Sequence, residues 1–190
     1  MTEQNLSPQL FMRVDLNKID ENEEIKLPEG YTIRTFREGE DKADEHAWDH
    51  IIGVTFQNPE CTFEKLMRPD PAYRPDRIWF VCCDDEPVAT AAGWFQEKYG
   101  EEYGYLHMVG ALPEHAGKGL GIAVTKAAMY SMKKEGRSFA LLSTDDFRLP
   151  AIKSYLRLGW EPKIVDDNQY DRWKKVYENL QWKAAPPVKE

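Results

Sequence analysis

A glycine-rich segment between an apolar strand and an amphipathic helix has the residue types to bind a phosphate. It reads Gly117-Lys118-Gly119-Leu120-Gly121, and apolar residues at helical spacing follow it. The first N–H groups of a helix lack partners within it, and the helix dipole places about half a positive charge there. Glycines let a ligand approach the backbone without a Cβ in the way. The segment predicts a phosphate or pyrophosphate site, with a tight turn that requires positive φ as the alternative.

Two common nucleotide-binding motifs do not fit this segment. A P-loop requires Gly-Lys followed by Ser or Thr, but Lys118 is followed by Gly119. A dinucleotide fingerprint would need a third glycine where this chain has Ile122. Asp145 or Asp146 nevertheless stands at about the right distance for a ribose contact, so a Rossmann-like nucleotide-binding protein stays an alternative.

The segment resembles motif A of the GNAT (Gcn5-related N-acetyltransferase) family, which is Arg/Gln-x-x-Gly-x-Gly/Ala with a proline upstream. Gly119 and Gly121 fill the glycine positions, and Pro113 fits the lead-in. Ala116 replaces Arg/Gln, which removes one side-chain contact and leaves a backbone N–H. The resemblance implies that the loop amides hold the pyrophosphate of coenzyme A. The amides concerned are those of Ala116, Gly117, Lys118, Gly119, Leu120 and Gly121.

A second segment resembles motif B of the same family, Ala-x-x-x-Tyr-x-x-x-Gly-Phe. Ala151, Tyr155 and Gly159 match in register, and Trp160 stands for the Phe. Arg148 stands where the family often has a cofactor-binding Asn; an arginine could bind a phosphate or face the solvent. The match implies that Tyr155 points at the thioester sulfur, whereas without the match it would be an aromatic residue at the edge of the core.

The resemblance implies an N-acetyltransferase that moves an acetyl group from acetyl-CoA directly to a primary amine. The amine must lose a proton although its pKa is near 10, and the developing oxyanion needs N–H donors. The thiolate leaving group benefits from a proton, which Tyr155 would give as general acid. His107, in the strand before the loop, is the candidate base. The oxyanion donors would be the amides of Val109, Gly110 and Ala111.

Two further alternatives remain open at this point. A non-catalytic sensor of acyl-CoA would keep both motifs without turnover, and the departures at Ala116 and Arg148 are compatible with it. A cysteine-nucleophile acyltransferase could use Cys61, Cys82 or Cys83. Two of these cysteines lie in an apolar strand, where burial raises a thiol pKa and favours an inert packing role.

Composition and net charge limit the kinds of molecule that we expect this chain to bind. The 190 residues carry a net charge of -8, and the isoelectric point is about 5.1. This charge argues against nucleic acid and anionic membranes and mildly favours a small cationic amine as acceptor. No Cys/His spacing predicts a metal, and three cysteines do not make a disulfide framework. The odd number of cysteines, with Cys82 and Cys83 adjacent, is typical of a reducing cytoplasm, and the chain start lacks the pattern of a secretion signal, so we expect a cytoplasmic protein. Whether the protein forms a homodimer is left open.

The residue pattern predicts a mixed α+β fold. We expect a central mixed sheet with antiparallel strands first, then one parallel βαβ unit, flanked by helices. Strands are predicted at residues 10–16, 31–36, 77–83, 88–95, 105–112, 139–143 and 170–177. Helices are predicted at residues 40–55, 62–67, 120–134 and 151–158. The predicted domains are an extension at 1–30, a GNAT-like acetyltransferase domain at 31–182 and a flexible tail at 183–190.

Overall fold

The computed structural model describes residues 8–188, which form two compact units. The larger unit comprises residues 15–140, and the smaller comprises residues 8–14 and 141–188. The strands are β1 (Leu10–Asp15), β2 (Tyr31–Thr35), β3 (Ile78–Cys83), β4 (Glu86–Trp94), β5 (Tyr103–Ala111), β6 (Phe139–Thr144) and β7 (Glu161–Lys163). The α-helices are α1 (Ala43–Phe56), α2 (Phe63–Leu66), α3 (Leu120–Lys134), α4 (Leu149–Arg157) and α5 (Gln169–Leu180).

The larger unit is built on four antiparallel strands in the order β2, β3, β4, β5. Helix α3 packs on β3, β4 and β5, and helix α1 packs on β4 and β5. A Cβ on Gly93 of β4 would lie 2.8 Å from the Ala128 carbonyl oxygen, so α3 rests directly on the sheet backbone there. The close contact fixes the helix that follows the glycine-rich loop.

Strand β6 begins beside the beginning of β5. The Phe139 amide donates to the Glu102 carbonyl at 3.1 Å, and the Tyr103 and Phe139 rings are 5.4 Å apart. Because both strands start at the same edge, they run in the same direction. This is the parallel pair predicted on either side of α3, and the α+β fold class is confirmed. The antiparallel order of the other strands in this unit contradicts a Rossmann-like sheet.

In the smaller unit the strand order is β6, β1, β7. Strand β1, which lies in the predicted extension, pairs antiparallel with β7, with Phe11 opposite Lys163 and Arg13 opposite Glu161. Helix α4 begins two residues before the predicted start, because Pro150 fits the first turn of a helix, where its missing N–H is not needed.

The prediction of a strand at residues 170–177 is wrong, since this segment belongs to helix α5. Its buried residues Gln169, Trp173, Val176 and Tyr177 follow the i, i+4, i+7, i+8 spacing of one helix face. The aromatic and β-branched residues favoured a strand by composition, but their spacing is helical. No helix within residues 8–188 combines the length and the apolar character needed to cross a membrane.

Candidate functional site

A β-bulge interrupts the ladder between β4 and β5 in the middle of the sheet. Thr90 lies opposite Gly110 and Ala92 opposite His107, so β5 carries one extra residue between these pairs. Met108 in the bulge has a φ of 48°, in the left-handed region that non-glycine residues seldom adopt. Such bulges redirect side chains and leave a residue outside the ladder, and they are frequent beside active sites.

The bulge changes which face of the sheet the following residues occupy. A Cβ on Gly104, before the bulge, would meet Met132 of α3, whereas a Cβ on Gly110 would meet Ile52 of α1 at 3.1 Å. In an uninterrupted strand these two even-numbered residues would share a face. The extra residue therefore brings Gly110 to the face opposite α3.

The amides of β5 near the bulge differ in direction. The Leu112 amide donates to the Val88 carbonyl at 2.9 Å, so it points toward β4. Alternate residues of a strand point their amides to the same side, so the Gly110 amide also points toward β4 and the Ala111 amide points away from it. Val109 lies in the bulge itself. Of the three predicted oxyanion donors, Val109 and Ala111 are therefore better placed than Gly110.

The loop before α3 is shaped by its glycines. Gly117 and Gly119 have φ values of 78° and 76°, which a residue with a Cβ adopts only with strain. Gly121 has no such backbone requirement, and a Cβ placed on it would have no protein atom within 4 Å. Neither packing nor backbone geometry explains a glycine at 121. The open space at Gly121 would let a ligand lie close to the backbone. A glycine at this position therefore fits the binding of the pyrophosphate of coenzyme A.

Several loop amides are positioned to bind such a group. Gly119 precedes the first turn of α3, and the first helical bond runs from the Ala123 amide to the Gly119 carbonyl at 3.0 Å. The amides of Leu120, Gly121 and Ile122 lie before that bond, so they have no acceptor within the helix. Ile122 was missed because the motif draws attention to glycines only. The Ala116 amide, in contrast, donates to the Pro113 carbonyl at 3.0 Å.

A small polar cluster lies beside this loop. The Tyr31 hydroxyl and the His115 Nδ1 atom are 2.7 Å apart, and the two rings meet edge to face. The exposed Lys118 ammonium lies 5.7 Å from the centre of the Tyr31 ring. This cation stands between the two positive-φ glycines, where it adds positive charge to the helix N-terminus.

His107 faces away from α3 among aromatic residues. Its ring centre lies 5.7 Å from that of Trp94 and 6.0 Å from that of Tyr105, so Tyr105 and His107 share a face as predicted. Burial lowers the pKa of His107 to about 4, and the Asp70 carboxylate opposes this shift. The imidazole is therefore neutral at pH 7, which makes it ready to accept a proton but a weaker base than an ordinary histidine.

Two residues near His107 were not found from the sequence. Asp70 lies in a proline-rich loop, where its carboxylate accepts the Ala72 amide at 2.8 Å. Trp94 is 1% exposed, and its indole N–H has no hydrogen-bond partner among the described residues. The only signals were an acidic residue between two prolines and an aromatic residue at a strand end, and neither indicates a site without the fold.

Tyr155 and Arg148 lie in the smaller unit on and before helix α4. Tyr155 is 7% exposed, its ring centre is 6.1 Å from that of Trp160, and its carbonyl accepts the Trp160 amide at 3.1 Å. Arg148 precedes the helix, and its Nε donates to the Asp145 carboxylate at 3.0 Å. Its guanidinium therefore has an acidic partner, with which a phosphate would have to compete.

The acetyltransferase (GNAT) family model matches residues 35–160, which is more than half of the chain. The chain belongs to the GNAT family. Both sequence motifs and the bulged strand fall within the matched residues.

The relatives of this GNAT chain include mycothiol acetyltransferases. The protein of that name from Streptomyces griseus is 32% identical over 146 residues, which is 74% of this chain and 46% of that protein. The one from Pseudarthrobacter chlorophenolicus is 32% identical over 156 residues, covering 75% of this chain and 47% of that protein. The chain thus spans about half the length of these relatives.

Solved structures of GNAT proteins share the fold. The GCN5-related N-acetyltransferase from Sphaerobacter thermophilus matches with a TM-score of 0.63 and 23% identity, over 83% of this chain and 50% of that chain. The one from Kribbella flavida matches with a TM-score of 0.58 and 24% identity, over 83% and 55%. At this identity the likeness shows the fold alone.

Cys82 of this GNAT chain does not resemble a catalytic nucleophile. Cys82 is buried, and burial raises the pKa of its thiol, with the Arg34 guanidinium opposing the shift. A reactive cysteine needs a lowered pKa and access to the substrate. The cysteine-nucleophile alternative therefore lacks support at Cys82.

Proposed function

We propose that this chain transfers the acetyl group of acetyl-CoA to a primary amine of a small molecule. The observation that carries the proposal is the open backbone at Gly121, which lies in the first turn of α3, two residues after the positive-φ glycine Gly119. A glycine that neither packing nor φ requires supports a close ligand approach. The acetyltransferases of this family use acetyl-CoA as co-substrate, which gives that ligand its chemistry.

In this proposal the loop amides bind the pyrophosphate of coenzyme A. The donors are the amides of the loop and first turn of α3, with Lys118 supplying a cation. Because the Ala116 amide already donates to Pro113, we leave it out of the set of donors. The amides of Val109 and Ala111 stabilise the carbonyl oxygen as negative charge develops on it.

The chemistry requires two proton movements. The bond from the amine nitrogen to the acetyl carbon forms while the carbon–sulfur bond breaks, and the sulfur leaves as a thiolate. His107, neutral at pH 7, is the candidate acceptor of the amine proton, and Tyr155 is the candidate donor to the thiolate. Support for Tyr155 is its register in the second motif, and support for His107 is its place on the strand of the oxyanion donors.

The proposal of a small cationic amine as acceptor rests on the negative charge of the chain and on the names of its relatives. Asp70 lies close enough to act on the pKa of His107, and a carboxylate beside the candidate base would attract a cationic amine. The net charge of -8 acts in the same direction. The relatives named mycothiol acetyltransferases support a small-molecule acceptor, in place of a protein or nucleic acid.

The test is a thiol-release assay with acetyl-CoA and a panel of small primary amines. We expect amine-dependent release of coenzyme A, with kcat lowered about 10²- to 10⁴-fold in Tyr155→Phe and KM for acetyl-CoA changed much less. Tyr177→Phe is the matched control, because Tyr177 has the same exposure of 7% and lies in the same unit. Binding of acetyl-CoA without release for any amine would favour the sensor alternative, and full activity of Tyr155→Phe would remove Tyr155 as the acid.

A further inference from the structure

Tyr31 and His115 form a hydrogen-bonded pair next to the glycine-rich loop, and the reaction proposed above does not use this pair. The Tyr31 hydroxyl lies 2.7 Å from His115 Nδ1, and the ring centres are 5.8 Å apart. Tyr31 is the first residue of β2, and His115 ends the short 3-10 helix Pro113–His115 that follows β5. The two residues are 84 positions apart in the chain, so the fold brings them together.

The contact with Tyr31 leaves the second ring nitrogen of His115 available. The imidazole is half-buried, and its Nε2 atom has no hydrogen-bond partner among residues 8–188. If the Tyr31 hydroxyl donates to Nδ1, the ring proton is on Nε2, which is then a donor. If Nδ1 donates to the hydroxyl, Nε2 is an acceptor instead. The group that approaches Nε2 therefore decides which tautomer is present.

His115 precedes the position at which this loop lacks a donor. Ala116 stands where the family motif has Arg or Gln, so no polar side chain is present there. The Ala116 amide donates to the Pro113 carbonyl at 3.0 Å, so its backbone donor is also in use. Gly117 follows with its positive φ of 78°. The imidazole of His115 is thus the polar side chain nearest in the chain to the missing one.

The charge around the pair favours an anionic ligand. The Lys118 ammonium lies 5.7 Å from the centre of the Tyr31 ring, so a cation stands beside the side chain that contacts His115. The amides at the start of α3 add partial positive charge to the same loop. Phosphate oxygens accept hydrogen bonds, so a phosphate selects the tautomer with the proton on Nε2 and with the Tyr31 hydroxyl donating to Nδ1.

We propose that His115 donates a hydrogen bond from Nε2 to a phosphate group of coenzyme A, with Tyr31 as its positioning residue. The inference rests on the proposed function, because it takes acetyl-CoA as the ligand. Tyr31 holds the ring through Nδ1 and so fixes its orientation and its tautomer. The His115 donor then takes the role that a side chain at position 116 has in the family motif. A hydrogen bond to a charged acceptor changes affinity on the order of ten- to a hundredfold.

Two substitutions of His115 separate phosphate binding from a structural role. The side-chain amide nitrogen of glutamine can take the place of Nε2, whereas that of asparagine takes the place of Nδ1. In calorimetric titration of the full chain with acetyl-CoA, His115→Gln should stay within about threefold of wild type, and His115→Asn should bind about tenfold more weakly or worse. If His115 only holds Tyr31, the order reverses, because asparagine keeps the contact with the hydroxyl. The reversed order, or equal affinities of the two variants, would overturn the proposal.

Tyr31→Phe tests the positioning role. It removes the hydroxyl and keeps the ring beside Lys118, and we expect acetyl-CoA binding to weaken about threefold or more, because the tautomer and the ring orientation are no longer fixed. His50→Asn, at an exposed histidine of α1, is the matched control and should leave the affinity unchanged. Urea unfolding checks that every variant is folded. Wild-type affinity in Tyr31→Phe would remove Tyr31 from the proposal.

Acetyl-CoA that lacks the 3′-phosphate identifies the phosphate concerned. If His115→Asn still weakens binding of this analogue, the pyrophosphate is the acceptor; if the effect disappears, the 3′-phosphate is. Failure of the wild-type chain to bind acetyl-CoA would overturn both the proposed function and the role of His115. Binding of acetyl-CoA that His115→Asn does not weaken would overturn only the role of His115.

Discussion

At the scale of single residues, His107 shows how burial sets chemistry. Its ring centre lies 5.7 Å from that of Trp94 and 6.0 Å from that of Tyr105, and burial lowers its pKa to about 4 from the usual 6.5. Since the unfolded chain would take up a proton at higher pH than the folded chain, folding is favoured above pH 6.5 and loses stability as the pH falls toward 4. The neutral imidazole is thus a stability feature as well as a candidate catalytic base.

We predict that His107→Gln reduces the pH dependence of stability. Between pH 6.5 and pH 4 the wild-type chain should lose roughly 3 kcal/mol of unfolding free energy through this group, from the two pKa values and about 1.4 kcal/mol per pH unit. Urea unfolding across this range measures the loss. His50→Gln, an exposed histidine of α1, should keep the wild-type slope. Identical slopes for wild type and His107→Gln would show that His107 is not held neutral by the fold.

Some residues near the candidate site could be predicted from the sequence, and others could not. The histidine could be named because it lies in the strand before a recognisable loop. Asp70 and Trp94 could not, because they reach His107 from a loop and from a neighbouring strand. Met108 gave no signal either: nothing in a methionine predicts a φ of 48°, which the bulge imposes through strand pairing.

At the scale of elements, Gly119 and Gly121 are glycines for two different reasons, although both belong to the segment that leads into helix α3. Gly119 requires its positive φ, so a side chain there strains the backbone. Gly121 is helical with open space around it, so a side chain there affects only what approaches from outside. The same motif therefore contains one glycine needed by the fold and one that we assign to the ligand.

We predict opposite effects of substituting these glycines. Gly121→Leu should leave the unfolding free energy unchanged or raise it by roughly 0.5–1 kcal/mol, because leucine is the better helix former, and should weaken acetyl-CoA binding at least tenfold. Gly119→Ala should cost about 1–2 kcal/mol of stability. Urea unfolding and calorimetric titration give the two quantities. Wild-type affinity for acetyl-CoA in Gly121→Leu would place the pyrophosphate elsewhere.

Elements were predictable where their spacing was clear. The strands from β2 to β6 and the helix α3 were predicted within a few residues, since apolar periods and proline or glycine breaks mark them. Helix α5 was missed because its aromatic and branched residues suggested a strand, although its buried face repeats at helical spacing. In this segment the residue composition favoured a strand and the spacing of the apolar residues favoured a helix. The spacing predicted the observed structure.

At the scale of the whole molecule, ligand binding should appear as stability. A ligand that binds only the folded state raises the unfolding free energy by about 2.7 kcal/mol at a hundredfold excess over its dissociation constant. We predict such a rise with acetyl-CoA and none with ATP or NADH, measured by thermal melts of the full chain. Gly121→Leu is the matched control and should lose the rise. A rise with NADH alone would contradict the proposed function.

The sequence by itself determined the fold class and the family, because these depend on local periods and on two motifs in register. It also located the glycine-rich loop and the second motif. The tertiary structure decided what pairing and packing create: the bulge at Met108 and the lowered pKa of His107. These features arise between residues distant along the chain. Burial and strand register exist only once those residues meet, so no local pattern encodes them.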